Sequence, residues 1–314
     1  MNKHKGFTSM FQKGRLTLGL NLPIEAHGNN VPTLEHQIER ARLAEEAGFT
    51  CLWFQDVLLE DPTFEDPATG QIFDSLIYLT YIGAHTSKIN LGTAAIVTPL
   101  RHPLRLAKEV ASIERLFPER LMLGISSGDR RKDFEGLNVP IMERGRLFRE
   151  AYDYFTQVIS EEFPAIESPM GKIDKSNLVP KPSSRIPVLM TGYCQQTFDW
   201  IAEHGDGWMF YPQPPDKQVD MIRSYRNKAG PETFRPFIMP LPIQLSADKD
   251  EPLSKIPAGY RGGRKAITEI LKEYQSIGVN HIMFNLSKSE RPVEAVIHEF
   301  QDYIIPSLEE DTST

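Results

Sequence analysis

A helix that ends in glycine and runs at once into a short apolar stretch recurs along this chain, and that alternation constrains the fold more than any other feature. Glu46-Ala47-Gly48-Phe49 leads into Cys51-Leu52-Trp53-Phe54, and Glu203-His204-Gly205-Asp206 leads into Gly207-Trp208-Met209-Phe210. Ser276-Ile277-Gly278-Val279 leads in the same way into His281-Ile282-Met283-Phe284. Glycine takes up the left-handed conformation at a helix end without a Cβ clash, so each of the three is expected to adopt it. The runs that follow are too short for helices and lack polar alternation, which fits fully buried parallel strands.

Extending the pattern gives eight strands: Leu16–Leu20, Cys51–Phe54, Ile89–Thr93, Leu121–Ile125, Val188–Met190, Gly207–Phe210, Phe237–Ile243 and His281–Phe284. Helical periodicity fills the gaps. Leu34, Ile38, Ala41 and Ala44 form one apolar stripe with Thr33 as its expected N-cap, and Leu147, Ala151, Phe155 and Val158 form another. A third helix starts near Pro103, where the fixed φ of proline is tolerated. Further helices are expected at Ile72–His85, Thr197–Glu203, Asp216–Lys228, Lys265–Ser276 and Pro292–Tyr303. Eight strands alternating with eight helices in 314 residues read as a (β/α)8 TIM barrel with insertions after strands 4 and 7. A doubly wound open sheet is the rival, but no G-x-G-x-x-G follows the first strand. Pro240 and Pro242 sit awkwardly in the seventh strand. Pro164–Pro187 reads as an extended loop or hairpin, and Ser246–Gly263 as either a lid or a solvated loop. One domain is expected over 1–314, with 1–14 and 306–314 as peripheral tails.

Composition excludes several classes. A net charge of −7 disfavours nucleic acid, which needs concentrated Lys and Arg. No segment approaches the roughly 18 uninterrupted apolar residues of a membrane span, and no signal peptide is visible. Two cysteines and eight scattered histidines show no metal-ligand spacing, so no metal site is expected. The plain reading is a reduced, cytoplasmic protein.

Chemistry in such a barrel collects at the carboxyl ends of the strands. Those ends offer Asn21, Gln55-Asp56, Thr93-Ala94-Ala95, Ser126-Ser127-Gly128 and Thr191-Gly192-Tyr193-Cys194. This is a floor of small groups ringed by hydrogen-bonding ones, suited to a flat cofactor with polar edges. Asp56 is the one well-placed carboxylate, so paired-acid glycoside chemistry lacks its second member. A nucleophile elbow is absent. His102 either faces the pocket or serves the turn at a helix start, and Asp56 and His102 are the catalytic candidates. Gly192 and the helix expected after it could hold a phosphate, or form an ordinary turn. Arg130, in the loop after strand four, is a second phosphate candidate.

Several runs, in order and over nearly the whole chain, resemble the bacterial luciferase-like flavin monooxygenases. They are Leu18-Gly19-Leu20-Asn21, Ala44-Glu45-Glu46-Ala47-Gly48-Phe49, Leu91-Gly92-Thr93-Ala94-Ala95, Arg101-His102-Pro103, Arg120-Leu121-Met122-Leu123-Gly124, Pro187-Val188-Leu189-Met190-Thr191-Gly192 and Ala202-Glu203-His204-Gly205-Asp206-Gly207. The resemblance implies a barrel that binds FMN, or in some branches a deazaflavin. It also implies a cis peptide at Ala94-Ala95 beneath the isoalloxazine ring, with Gly192, Tyr193 and Cys194 lining the flavin phosphate and Ser127 near it. The implied activity is oxygenation of a small organic substrate by reduced FMN and O2. A separate flavin reductase would supply the reduced flavin, and a homodimer is the implied assembly. Two alternatives remain: hydride transfer by FMN or deazaflavin without oxygen activation, and flavin binding without turnover. Three positions depart from the family pattern. Val57 follows Asp56 where a histidine is usual, Phe117-Pro118-Glu119-Arg120 replaces a Ser-Gly-Gly-Arg turn, and Ser127 occupies the place of a phosphate-binding arginine.

Overall fold

The apolar runs fold as β1 (Thr17–Asn21), β2 (Cys51–Phe54), β3 (Asn90–Thr93), β4 (Leu121–Ser126), β5 (Val188–Thr191), β6 (Gly207–Met209), β7 (Phe237–Pro240) and β8 (His281–Phe284). They do so in a computed structural model that describes residues 4–28, 30–61, 63–64, 73–230 and 233–310. The strands pair in parallel in chain order, and the ring closes where Thr17 stands opposite His281 and Leu20 opposite Phe284. Each strand is followed by a helix: α1 (Gln37–Glu46), α2 (Ser75–Gly83), α3 (Pro103–Leu116), α4 (Arg144–Ser160), α5 (Phe198–His204), α6 (Pro215–Ala229), α7 (Arg264–Ser276) and α8 (Val293–Glu299). This is the expected (β/α)8 barrel. The first residue of the helix expected from Ile72 lies outside the described residues. Among the described residues, no helix is long and apolar enough to cross a membrane.

Several local expectations are corrected. Phe237–Ile243 is not one strand: β7 stops at Pro240, and Ile243–Leu245 leaves the barrel for a small second sheet. The two prolines mark that exit, since neither can donate to a ladder. Ser246–Gly263 folds onto this second sheet, with Ser254–Ile256 antiparallel to Gly259–Gly262 and the latter parallel to Ile243–Leu245. Pro164–Pro187, by contrast, contains a hairpin as expected, Ile166–Ser168 with Gly171–Ile173.

Thr33 is not the cap of α1. Its N–H and hydroxyl both donate to Glu25, and the helix starts after His36. Gly48 and Gly278 are left-handed as expected (φ +93° and +102°), but Gly205 is extended (φ −84°). What excludes a side chain at Gly205 is space, because a Cβ there would stand 2.7 Å from Met190 Cγ.

Residues 4–11 are not a peripheral tail. The short helix Lys5–Met10, capped by His4, buries Phe7, Met10 and Phe11 among Cys51, Trp53, Met122, Leu189, Met209, Ile238 and Met283. It sits at the amino ends of the strands, where Thr17 Oγ1 donates to Met10 O and the Gly6 N–H to Glu119 O. A barrel of short strands leaves its lower interior open, and this helix fills it. At the other end of the chain, Leu308 is also buried.

The interior layer above this plug contains one polar chain. Trp53 Nε1 donates to His281 Nε2 at 2.9 Å, and His281 Nδ1 lies 2.8 Å from Thr17 Oγ1. Indole is a donor only, so Nε2 accepts and the ring proton sits on Nδ1, donating to Thr17. Complete burial pushes the His281 pKa down to about 3, leaving the ring neutral.

Candidate functional site

A cavity of about 520 Å³ opens at the carboxyl ends of the barrel strands and takes lining residues from all eight of them. Asn21 comes from β1, Gln55, Asp56 and Val57 follow β2, and Ala94 and Ala95 follow β3. Ser126 to Arg130 follow β4, and Thr191 to Gln195 follow β5. The opposite wall is Met209, Phe210, Tyr211 and Pro212 after β6, Pro240, Leu241 and Pro242 after β7, and Met283 and Asn285 from β8. Of the residues expected at the site, Asn21, Asp56, Ala94, Ala95, Ser127, Thr191, Gly192, Tyr193 and Cys194 are therefore gathered at one cavity. The Ala94–Ala95 peptide is cis.

Two expected residues are elsewhere. Thr93 is fully buried beneath the floor, where its hydroxyl donates to Gly124 O at 2.8 Å. A β3 side chain one residue below the rim points into packing rather than into the opening. His102 does not line the cavity: its Nδ1 accepts from the Leu104 N–H as the cap of α3, and its Nε2 bonds Met170 O of the outer hairpin at 2.8 Å. The helix-start role is the one the fold uses.

Asp56 lines the cavity, yet both its oxygens are engaged. Arg101 Nη2 donates to Oδ1 at 2.8 Å and Arg101 Nε to Oδ2 at 3.3 Å. The Ser75 hydroxyl donates to Oδ1 at 3.0 Å and the Val97 N–H to Oδ2 at 3.1 Å. A carboxylate held by a bidentate arginine and two further donors has no lone pair placed for proton transfer. Asp56 instead ties the segment after Ala94-Ala95 to α2 and to the start of α3. Arg101 also holds Asp74, the N-cap of α2, at 2.5 Å.

The Thr191–Cys194 turn is held from below. The Gly192 N–H donates to Met209 O, and Trp208 Nε1 donates to Gly192 O, both at 2.8 Å. Gly192 is left-handed (φ +65°), with open space where a Cβ would stand, so a ligand can approach the backbone closely. The helix expected just after this turn begins only at Phe198, behind a second turn with Cys194 and Gln195 also at positive φ. Its dipole is thus displaced from the cavity. Burial pushes the Cys194 thiol up to about 12, which keeps it protonated and inert.

The lining residues also leave polar groups unanswered. Asn21 Oδ1, Thr191 Oγ1 and Arg130 Nη1 are buried with no hydrogen-bond partner. Arg130 Nη2 donates to Leu59 O, and its Nε lies 3.4 Å from Asp133 Oδ2. Unpartnered buried polar atoms are costly, so their concentration around one cavity fits a ligand with polar edges and an anionic group. Most of the wall from β6 to β8 is not assigned from the sequence. Asn285 follows β8 directly and was open to the same strand-end rule, whereas Ala258, which also lines the cavity, reaches it from the inserted hairpin, within the segment read as either a lid or a solvated loop.

A family model described as luciferase-like monooxygenase matches residues 13–291. The chain belongs to this family. A curated relative, the alkanal monooxygenase alpha chain of Photorhabdus luminescens, is 29% identical over 199 residues. That match covers 62% of this chain and 53% of the relative, so the chain spans about half the length of that protein. Among solved structures, an F420-dependent secondary alcohol dehydrogenase with an F420–acetone adduct superposes with a TM-score of 0.76 at 16% identity, covering 94% of this chain and 99% of the other. Monooxygenase RslO1 from Streptomyces bottropensis superposes with a TM-score of 0.77 at 17% identity, covering 92% and 99%. At such identities, the structural likeness speaks for the fold.

Proposed function

We propose that this protein is a flavin-dependent monooxygenase that uses reduced FMN and O2 to oxygenate a small organic substrate. The observation that carries the reading is the cavity floor. Ala94, Ala95, Ser126, Ser127, Gly128 and Gly192 leave a shallow surface of small groups at the strand ends, bordered by the unanswered polar atoms of Asn21, Thr191 and Arg130. The flavin would supply the redox chemistry, and the residues here would bind, orient and shield it.

In this reading, Ala94-Ala95 supports the ring system, held in place through the Asp56–Val97 bond. The Thr191–Cys194 turn, with Ser127 and Arg130, holds the phosphate. The apolar wall of Met209, Phe210, Leu241 and Met283 keeps water from the reacting face. A separate reductase delivers the reduced flavin, and the free, buried Cys51 and Cys194 suit a reducing cytoplasm. Assembly is as a homodimer, by family likeness.

Two observations favour a second reading, in which FMN or a deazaflavin transfers hydride without activating O2. Val57 lines the cavity where the family often has histidine, and the F420-dependent dehydrogenase is among the similar folds. Anaerobic titration with reduced FMN, followed by rapid mixing with O2, separates the two. Slow flavin reoxidation, with hydrogen peroxide release suppressed by substrate, supports oxygenation. Immediate reoxidation with stoichiometric peroxide supports hydride transfer. Binding of deazaflavin and not FMN would select the deazaflavin branch.

A further inference from the structure

The charged residues of the cavity are confined to one side. Asp56, Asp129, Arg130 and Arg144 all come from the segments after β2 and β4, whereas the lining contributed by β6, β7, β8 and the inserted hairpin contains no acid, base or histidine. We propose that this uncharged half is the substrate subsite, that it accepts an uncharged apolar molecule, and that Ala258 at the tip of the inserted hairpin limits the length of that molecule.

The inference rests on the flavin reading, which assigns the arginine side of the cavity to the cofactor's phosphate. Against the opposite wall, where Tyr211 and Asn285 are the polar side chains, an ionic group would lose its hydration and find no opposite charge. The rings of Tyr193, Phe210 and Tyr211 form a continuous aromatic edge at the mouth, with centroids 5.2 Å apart for the first pair and 6.3 Å for the second. Tyr193 and Tyr211 are 46% and 58% exposed, so this edge meets an incoming molecule before the interior does.

The hairpin that carries Ala258 is a fixed wall. The Tyr260 N–H donates to Pro242 O at 3.0 Å, which ties the tip to a residue of the cavity itself. Arg261 binds Glu251 at 2.9 Å and Glu290 at 2.6 Å, and Tyr260 and Tyr274 meet through their hydroxyls at 3.3 Å. Ala258 adopts φ +58° at the turn and lines the cavity with a methyl side chain.

The test uses the FMN-loaded protein and two matched pairs of probes, benzyl alcohol with benzoate and 2-naphthalenemethanol with 2-naphthoate, measured by calorimetry. The larger alcohol should bind about tenfold more tightly than the smaller, from the added apolar area. Each carboxylate should bind at least about tenfold more weakly than its alcohol. In Ala258→Asn, a residue type that tolerates positive φ, 2-naphthalenemethanol should weaken by about tenfold, while benzyl alcohol and FMN change by less than about threefold. Carboxylates that bind as tightly as their alcohols would overturn the proposal, as would alcohols that compete with FMN, or an Ala258→Asn effect equal for both alcohols. If FMN itself fails to bind wild type, the FMN reading falls and this proposal falls with it. FMN bound normally beside a reversed probe order removes this proposal alone.

Discussion

Replacing His281 by glutamine should flatten the acid limb of this protein's stability profile. The ring is completely buried between Trp53 and Thr17, and its pKa is held near 3 against an ordinary value of 6.5. Between those two values the unfolded chain binds a proton that the folded chain refuses. Stability from this group is therefore complete above pH 6.5, declines as the pH falls, and stops changing below about pH 3. Linkage puts the loss at about 2 kcal/mol at pH 5 and about 3 kcal/mol at pH 4. Urea unfolding of wild type and His281→Gln at pH 7.5, 6 and 5 measures it. The variant should be less stable at pH 7.5, by about 1–3 kcal/mol, because the Trp53 N–H and the Thr17 hydroxyl lose a well-placed partner. Between pH 7.5 and pH 5, however, wild type should lose about 2 kcal/mol more than the variant does. Equal losses in the two proteins would show that His281 is not held neutral, and the reasoning about the barrel interior would fail.

Three further outcomes follow from the site. Asp56→Asn should lower stability by about 1–2 kcal/mol and weaken flavin binding, because it removes one of the carboxylates that hold Arg101 while Asp74 remains in place. A variant with wild-type stability and flavin affinity, but a displaced pH–rate limb, would instead make Asp56 a proton-transfer group. His102→Ala should reduce stability by about 1 kcal/mol through the lost cap of α3 and leave turnover within about twofold, and a large fall in rate would return His102 to the chemistry. Trp208→Phe removes the donor to Gly192 O and should raise the flavin dissociation constant about fivefold, in line with one net hydrogen bond. Fluorescence titration reads it, and an unchanged constant would mean that the Thr191–Cys194 turn does not depend on that bond.

The site was legible in the sequence to the extent that strand ends were legible. Asn21, Asp56, Ala94-Ala95, Ser127 and Thr191-Gly192-Tyr193-Cys194 were found because a barrel strand ends on a stated rim, and the runs themselves marked those ends. Thr93 was misplaced because one residue along a strand exchanges opening for packing, which apolarity alone does not resolve. Asp56 follows a strand and His102 starts a helix, as the sequence indicates, but their partners, Arg101 and Met170, lie in other elements. Whether a polar atom is engaged depends on those partners.

What the chain determined on its own was the order of its elements. Short buried runs after helix-ending turns permit little besides parallel strands covered by helices, and eight of them close a ring. Local patterning decides this because each run has one way to bury its surface. The tertiary structure alone decided which distant segments close the two ends of that ring. At the amino ends, Phe7, Met10 and Phe11 fill the space beneath Trp53 and His281. At the carboxyl ends, Ala258 arrives over the cavity from a hairpin that starts where two prolines eject the seventh strand. Both are contacts between residues far apart in sequence, and no local periodicity records them.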